Sequence, residues 1–234
     1  MSKKFTGPSL LALLALCSLA CMPAHATVVD FEALPPDLYF DGSGFQQDGF
    51  RFSVEGGFGT LDTAASCFIT VCPSGNDTQF YSALNDSQLS LSRTDGAAFR
   101  LQGFDAAFVA PLNFGSGSPA GQIVLHALTA SGGHLFSSWD FGVSGSDGSF
   151  SFTRFSGADF ASFSAITSID FSACVYTAGG ACQNPGGNLA QFALDNIALA
   201  PAVPEPASVA LLALGLGALA RRSRRGAQPA AASV

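Results

Sequence analysis

From Thr27 to Ala202 the chain is a succession of short runs in which apolar and polar residues alternate, separated by glycine-rich turns. Phe50, Phe52 and Val54 alternate with Arg51 and Ser53, the signature of a strand buried on one face. Gln88-Leu-Ser-Leu-Ser-Arg93 repeats that period, and Asp95-Gly96 behind it is a strong turn signal. Ala97 to Leu101 and Phe104 to Val109 read as two strands joined by a tight hairpin at Gln102-Gly103. Gln122 to Thr129 sets Ile123, Leu125 and Ala127 against Val124, His126 and Leu128, a pattern that predicts cover on both faces. Gly132-Gly133 turns the chain into His134 to Phe141, and Asp147-Gly148 turns it into Ser149 to Phe155. Val28 to Glu32 opens the series, and Ala165 to Ala173 and Leu189 to Leu199 close it. The intervals from Pro35 to Gly49, Gly56 to Gly59 and Gly115 to Gly121 read as loops, and Asp159 to Phe163 as a single turn.

About nine or ten short strands with no helical periodicity between them predict an all-β fold, an antiparallel β-sandwich or jelly roll. The composition supports this, since 22 phenylalanines supply the buried area that the many small residues cannot. No linker is long enough to divide the region, so residues 27–202 are expected to form one domain.

The two ends have a different character. Lys3 and Lys4 precede an apolar run from Leu10 to Leu16, and Ala24-His-Ala26 offers a small-x-small cleavage site, which together predict a signal peptide over residues 1–26. At the other end, Val203, Pro204, Glu205, Pro206, Ala207 and Ser208 lead into an apolar segment, and Arg221, Arg222, Arg224 and Arg225 follow it. The prolines stop a preceding element, while the Leu- and Ala-rich segment favours a helix. As a helix, the 14 residues from Ala207 to Ala220 reach about 21 Å, against a hydrocarbon core of roughly 30 Å. The expectation is a short transmembrane sorting helix with its arginines at the cytoplasmic surface. That gives a sorting signal over 203–225 and a tail over 226–234.

These residues resemble the PEP-CTERM sorting signal: the Val-Pro-Glu-Pro-Ala-Ser motif, the hydrophobic run and the arginine cluster occur in that order. The resemblance implies recognition and cleavage by an exosortase, a membrane-embedded cysteine protease, near Pro204–Pro206. It also implies passage through the Sec translocon, removal of the leader by signal peptidase, a transient inner-membrane tether and a final place at the cell surface or in the extracellular matrix. Gln191, Phe192 and Asp195 resemble a narrower subfamily signature, Gln-Phe-x-x-Asp, placed just before the sorting tail. Asp30-Phe-Glu32, Leu194-Asp-Asn-Ile197 and the all-β pattern are also similar to carbohydrate-binding jelly rolls, a likeness of fold that implies no ligand.

Charge narrows the function classes. Residues 27–202 carry 16 acids, four arginines and no lysine, and a surface of that sign repels phosphate backbones, so nucleic acid is excluded as a partner. Four cysteines lie in this region, and they allow three pairings. In an oxidising compartment two local disulfides are expected, Cys67 with Cys72 and Cys174 with Cys182. A four-thiolate zinc site is disfavoured, because neither pair has the usual two-residue spacing.

Candidate chemistry is sparse. His126 and His134 lie eight apart across a Gly-Gly turn and read as ordinary strand residues, and no nucleophile elbow, zinc-protease motif or phosphate loop occurs. Asp105, Asp170 and Asp195 fall within predicted strands, where a buried carboxylate must find a partner. No cofactor is expected beyond a structural calcium, for which Asp30, Glu32 and Asp195 would supply oxygen ligands if the first and last strands meet. For stacking on sugar rings, Trp139 and Tyr176 are the candidates.

The reading is an exported protein with a structural or adhesive role in an exopolysaccharide matrix (a biofilm component) and weak glycan binding. The alternative is a secreted carbohydrate-active enzyme, a glycosidase or lyase on a jelly-roll scaffold, which requires two carboxylates facing across a cleft. Intact mass of the protein from its host, with and without the exosortase, checks the sorting argument. The expected product begins at Thr27, ends between Pro204 and Ser208 and lies outside the cell. Retention of Arg221–Arg225 in both strains would make the tail a plain anchor.

Overall fold

The computed structural model describes residues 26–66, 70–111 and 120–202, together with Gly215. The strands in the first half are β1 (Thr27–Val29), β2 (Asp37–Phe40), β3 (Gly44–Gln47), β4 (Phe50–Glu55), β5 (Phe58–Asp62), β6 (Thr70–Val71), β7 (Phe80–Leu84) and β8 (Gln88–Arg93). Those in the second half are β9 (Phe99–Phe108), β10 (Ala110–Pro111), β11 (Gly121–Thr129), β12 (His134–Asp140), β13 (Thr153–Ser156), β14 (Ile166–Tyr176), β15 (Cys182–Gln183) and β16 (Phe192–Pro201).

Fourteen of these form one antiparallel sheet folded back on itself, and β6 and β10 form a small separate pair. One half runs β2-β5-β7-β16-β9, with β1 added to β16 and β13 to β9. The other half runs β12-β11-β14-β8-β4-β3, with β15 added to β14. The halves join through a single residue pair, Ile166 of β14 with Phe99 of β9. The result is a jelly-roll-like, nearly closed sandwich, all-β as the alternation predicts.

The core lies between the halves and is largely aromatic. Phe104 on β9 meets Phe171 of β14 and Phe160 edge to face, with ring centres 5.4 and 5.7 Å apart, and Phe155 at 5.3 Å. At the far end Phe45 stacks on Phe52 at 4.8 Å, and Phe31 packs edge-on against both. Edge-to-face geometry sets the positive rim of one ring against the negative face of the next. A second, smaller cluster of Phe80, Leu84, Val109 and Ala193 lies on the other side of the β7-β16-β9 sheet, with Phe58 and Phe152 packed against it. Strand β16 is therefore buried on both faces.

Four expectations are corrected. No hairpin forms at Gln102-Gly103: β9 runs through it as one ten-residue strand. Gly103 serves close packing there, because a Cβ at this position would lie 2.5 Å from the Phe155 carbonyl oxygen of β13. The intervals read as loops hold strands β2, β3 and β5, where turns and short strands share the same few residues. Strand β11 is buried on one face only, with Val124, His126 and Leu128 turned outward. The transmembrane helix does not stand: among the described residues no helix is long and apolar enough to cross a membrane. The apolar run is shorter than the ~20 residues a span requires. Apart from Gly215 that run lies outside the described residues, as do residues 1–25 of the expected signal peptide.

Phe104→Ala should destabilise the fold by ~3–5 kcal/mol, because four aromatic neighbours lose a buried partner. Phe136→Ala, at a ring that is 71% exposed, should cost less than ~0.5 kcal/mol. Urea unfolding of both variants measures the difference.

Candidate functional site

Two polar arrangements stand out from the apolar framework. The first surrounds the Gln191–Asp195 stretch. Gln191, just ahead of β16, and Ala193 and Asp195 within it turn away from the main core, and both polar side chains are buried. The Gln191 side-chain carbonyl accepts the Asn85 backbone N–H at 3.1 Å. Asn85 and Asp86 both have positive φ and form the corner between β7 and β8, closed by Ser87 N–H donating to the Leu84 carbonyl. Asp86 completes the clasp by accepting the N–H groups of Asn188 and Ala190, each at 2.7 Å.

Asp195 is wholly inaccessible to solvent. Its Oδ2 accepts from Asn76 Nδ2 at 2.7 Å, Thr78 Oγ1 at 3.2 Å and Asn196 Nδ2 at 3.2 Å, and its Oδ1 accepts the Asn196 backbone N–H at 2.7 Å. Asn196 sits at a bulge with φ 49°, which turns its amide towards the neighbouring strand. That amide also donates to Asp105 Oδ2 at 2.9 Å, and Arg154 Nη1 meets Asp105 Oδ1 at 3.2 Å. Burial pushes the Asp195 carboxyl up to about 6, with the Asp105 charge adding to the effect and the donors from Asn76, Asn196 and Thr78 opposing it.

The second arrangement crosses the outer face of the other half-sheet. His134 of β12, His126 of β11, Asp170 of β14, Ser90 of β8 and Glu55 of β4 form a continuous row. His126 Nε2 lies 2.8 Å from His134 Nδ1, and His126 Nδ1 lies 3.3 Å from Asp170 Oδ2. The Ser90 hydroxyl donates to Asp170, with Glu55 Oε1 3.2 Å away. Phe136 covers one face of the His126 ring, with ring centres 4.4 Å apart and planes within 14°.

Beside this row an open groove of about 570 Å³ runs over β12, β11, β14 and β15. Phe136, Gln122, Ser138, Ser172, Gln183 and Asn184 are among its lining residues. The Cys174–Cys182 disulfide joins β14 to the β15 wall. Nearby, Asp140 accepts from Gln122 Nε2 at 2.9 Å and from the Tyr176 hydroxyl. Tyr176 holds the Asp140 carboxyl below its ordinary range, and Asp140 holds the Tyr176 phenol above its own.

The residues singled out from sequence are distributed unevenly over these arrangements. Asp105, Asp170 and Asp195 each have a partner. Asp30, Glu32 and Asp195 are not gathered: Asp30 accepts from Gln47 Nε2, Glu32 from the Gln79 N–H and Asp195 from the network above. No group of three His, Cys, Asp or Glu side chains among the described residues is placed to hold a metal ion. Trp139 turns inward and packs flat against Phe160 at 5.0 Å, so its half-buried ring lies against the core. Cys72 is disulfide-bonded, and Cys67 lies outside the described residues. Ala26 is exposed just ahead of β1, whereas Ala24, Val203–Ser208 and Arg221–Arg225 lie outside the described residues. Phe136 went unnoticed in the sequence, although strict alternation along His134–Asp140 places it outward whenever Trp139 faces in.

The Asp195 environment has a pH signature. A carboxyl raised from 3.8 to about 6 contributes stability that is fully present below pH ~4 and is lost as pH rises through ~6. The wild-type protein should lose on the order of 2–3 kcal/mol over that window through this group. Asp195→Asn should lack this component and be destabilised at every pH, since its amide would face other donors. Urea unfolding from pH 4 to 7.5 checks both statements.

No curated protein matches the chain. Among solved structures, the agarase AgWH50C is similar at 16% identity and a TM-score of 0.30, over 72% of this chain and 25% of that one. The chain thus spans about a quarter of the agarase's length. Residues 202–225 match the family model of the PEP-CTERM protein-sorting motif, and with that motif the chain is an exosortase substrate in general terms.

Proposed function

We propose that the protein is exported by way of the Sec translocon and signal peptidase, sorted by an exosortase at Pro204–Pro206, and retained in the extracellular polysaccharide matrix as a weak glycan-binding component. The sorting motif at 202–225 supports the route. The Gln-Phe-x-x-Asp stretch at Gln191, Phe192 and Asp195 fits the narrower subfamily within that class.

The groove over β12, β11, β14 and β15 supports the binding role, and the observation that carries it is Phe136. A large aromatic ring left 71% exposed beside amide and hydroxyl side chains combines an apolar face with hydrogen-bonding groups. Sugar rings are recognised through their C–H faces and their hydroxyls, which is the chemistry these groups offer. Tyr176 and Asp140 lie beside Gln122 and add polar contacts there. One carboxylate pair, Asp105 with Asp195, does not suit the alternative enzyme reading. Asp105 and Asp195 are register partners, but Asn196 fills the space between them and Asp195 meets no solvent.

Affinity electrophoresis of the mature protein in gels containing the producer's exopolysaccharide tests this role. Retardation that falls at least about tenfold in Phe136→Ala, with the fold intact, is the expected result. Migration unaffected by the polysaccharide would overturn the glycan role and leave a purely structural one.

A further inference from the structure

The row on the outer face contains a feature that glycan binding does not use. The His126 and His134 ring planes lie within 7° of each other and their centres are 5.1 Å apart, while Nε2 of one is 2.8 Å from Nδ1 of the other. The rings therefore meet edge to edge, nitrogen to nitrogen, with no face-to-face overlap. The two residues sit diagonally on neighbouring strands, His126 opposite Phe136 and His134 opposite Leu128, so the sheet itself holds the pair in place.

We propose that His126 Nε2 and His134 Nδ1 form a two-point chelate for a divalent first-row transition ion of the copper, zinc or nickel class. Imidazole nitrogen suits these ions and does not suit calcium or magnesium. The carboxylate of Asp170 beside His126 Nδ1 keeps the proton on that nitrogen and leaves Nε2 unprotonated, able to accept a hydrogen bond or bind a metal. A carboxylate behind a ligating imidazole is the usual support of a metal-bound histidine, and here Ser90 in turn donates to that carboxylate. Phe136 against the ring face fixes the plane of His126. His134 is exposed, so its ring is free to tilt until both lone pairs converge on one ion. In the metal-free pair, His134 Nδ1 carries the proton shared with His126. On binding, that proton moves to the exposed Nε2 of His134, and the charge of the protein is unchanged. Water completes the coordination, because the described residues supply no third ligand.

The test is titration of Cu²⁺ into the untagged mature protein, followed by calorimetry and by nitrogen splitting in the electron paramagnetic resonance spectrum. One equivalent bound through two imidazole nitrogens is expected. Binding should be at least ~10-fold weaker in His134→Gln, whose exposed position leaves folding undisturbed, and ~10-fold weaker in Asp170→Asn, which touches no metal. Zinc should compete for the same equivalent. A wild-type affinity equal to that of the His126→Gln/His134→Gln double variant would overturn the site, as would a copper spectrum without imidazole splitting. An unchanged affinity in Asp170→Asn would overturn the supporting role given to the carboxylate.

Discussion

A strand covered on both faces has no solvent into which a polar side chain can turn, and β16 is such a strand. Everything it carries must be apolar or fully partnered, since an unpaired buried polar group costs ~1–3 kcal/mol and a charge more. Gln191, at its entrance, and Asp195, within it, meet that condition by bonding to two separate earlier segments, the β7–β8 corner and the Asn76–Thr78 loop. The loop covering Asp195 is itself held by Ser74, whose backbone bonds to Phe150 and Phe152. The Gln-Phe-x-x-Asp stretch thus fastens two remote segments to the central strand. Its buried carboxylate sets a fold-level constraint and does not present a reactive group.

The outer face of the opposite half-sheet follows a different rule. There β11 and β12 are covered on one side only, and alternation sends His126, His134 and Phe136 outward as surely as it sends Ile123 and Trp139 inward. Because the sheet neighbours of His126 are Phe136 and Asp170, the register alone brings an imidazole, an aromatic ring and a carboxylate into one row. The framework underneath, built on Phe104 and Phe171, keeps those strands from slipping. A slip of one residue would reverse every side chain in the row.

Much of this was legible in the sequence where one physical rule dominated. Period-two alternation located β4, β8 and β14, because each has one buried face, and found β11 while misjudging its outer face as covered. It could not locate β7, which is buried throughout and reads as a featureless apolar run. It misread Gly103, since the carbonyl of Phe155 that excludes a side chain there belongs to a strand some fifty residues away. The rule that a buried carboxylate needs a partner found Asp105, Asp170 and Asp195, but their partners Arg154, His126 and Asn76 are set by strand order. Choosing Trp139 as a sugar platform followed residue type, whereas parity along β12 points to Phe136.

The Cys174–Cys182 bond makes one wall of the groove a covalent matter. Strand β15, which supplies Gln183 at the groove wall, is held to β14 by only two residue pairs and this disulfide. Without it the wall would rest on those two pairs and the Thr177–Ala181 turn bond, a short hairpin that is marginal by itself. The groove wall is therefore the part of this face that depends most on an oxidised cysteine pair.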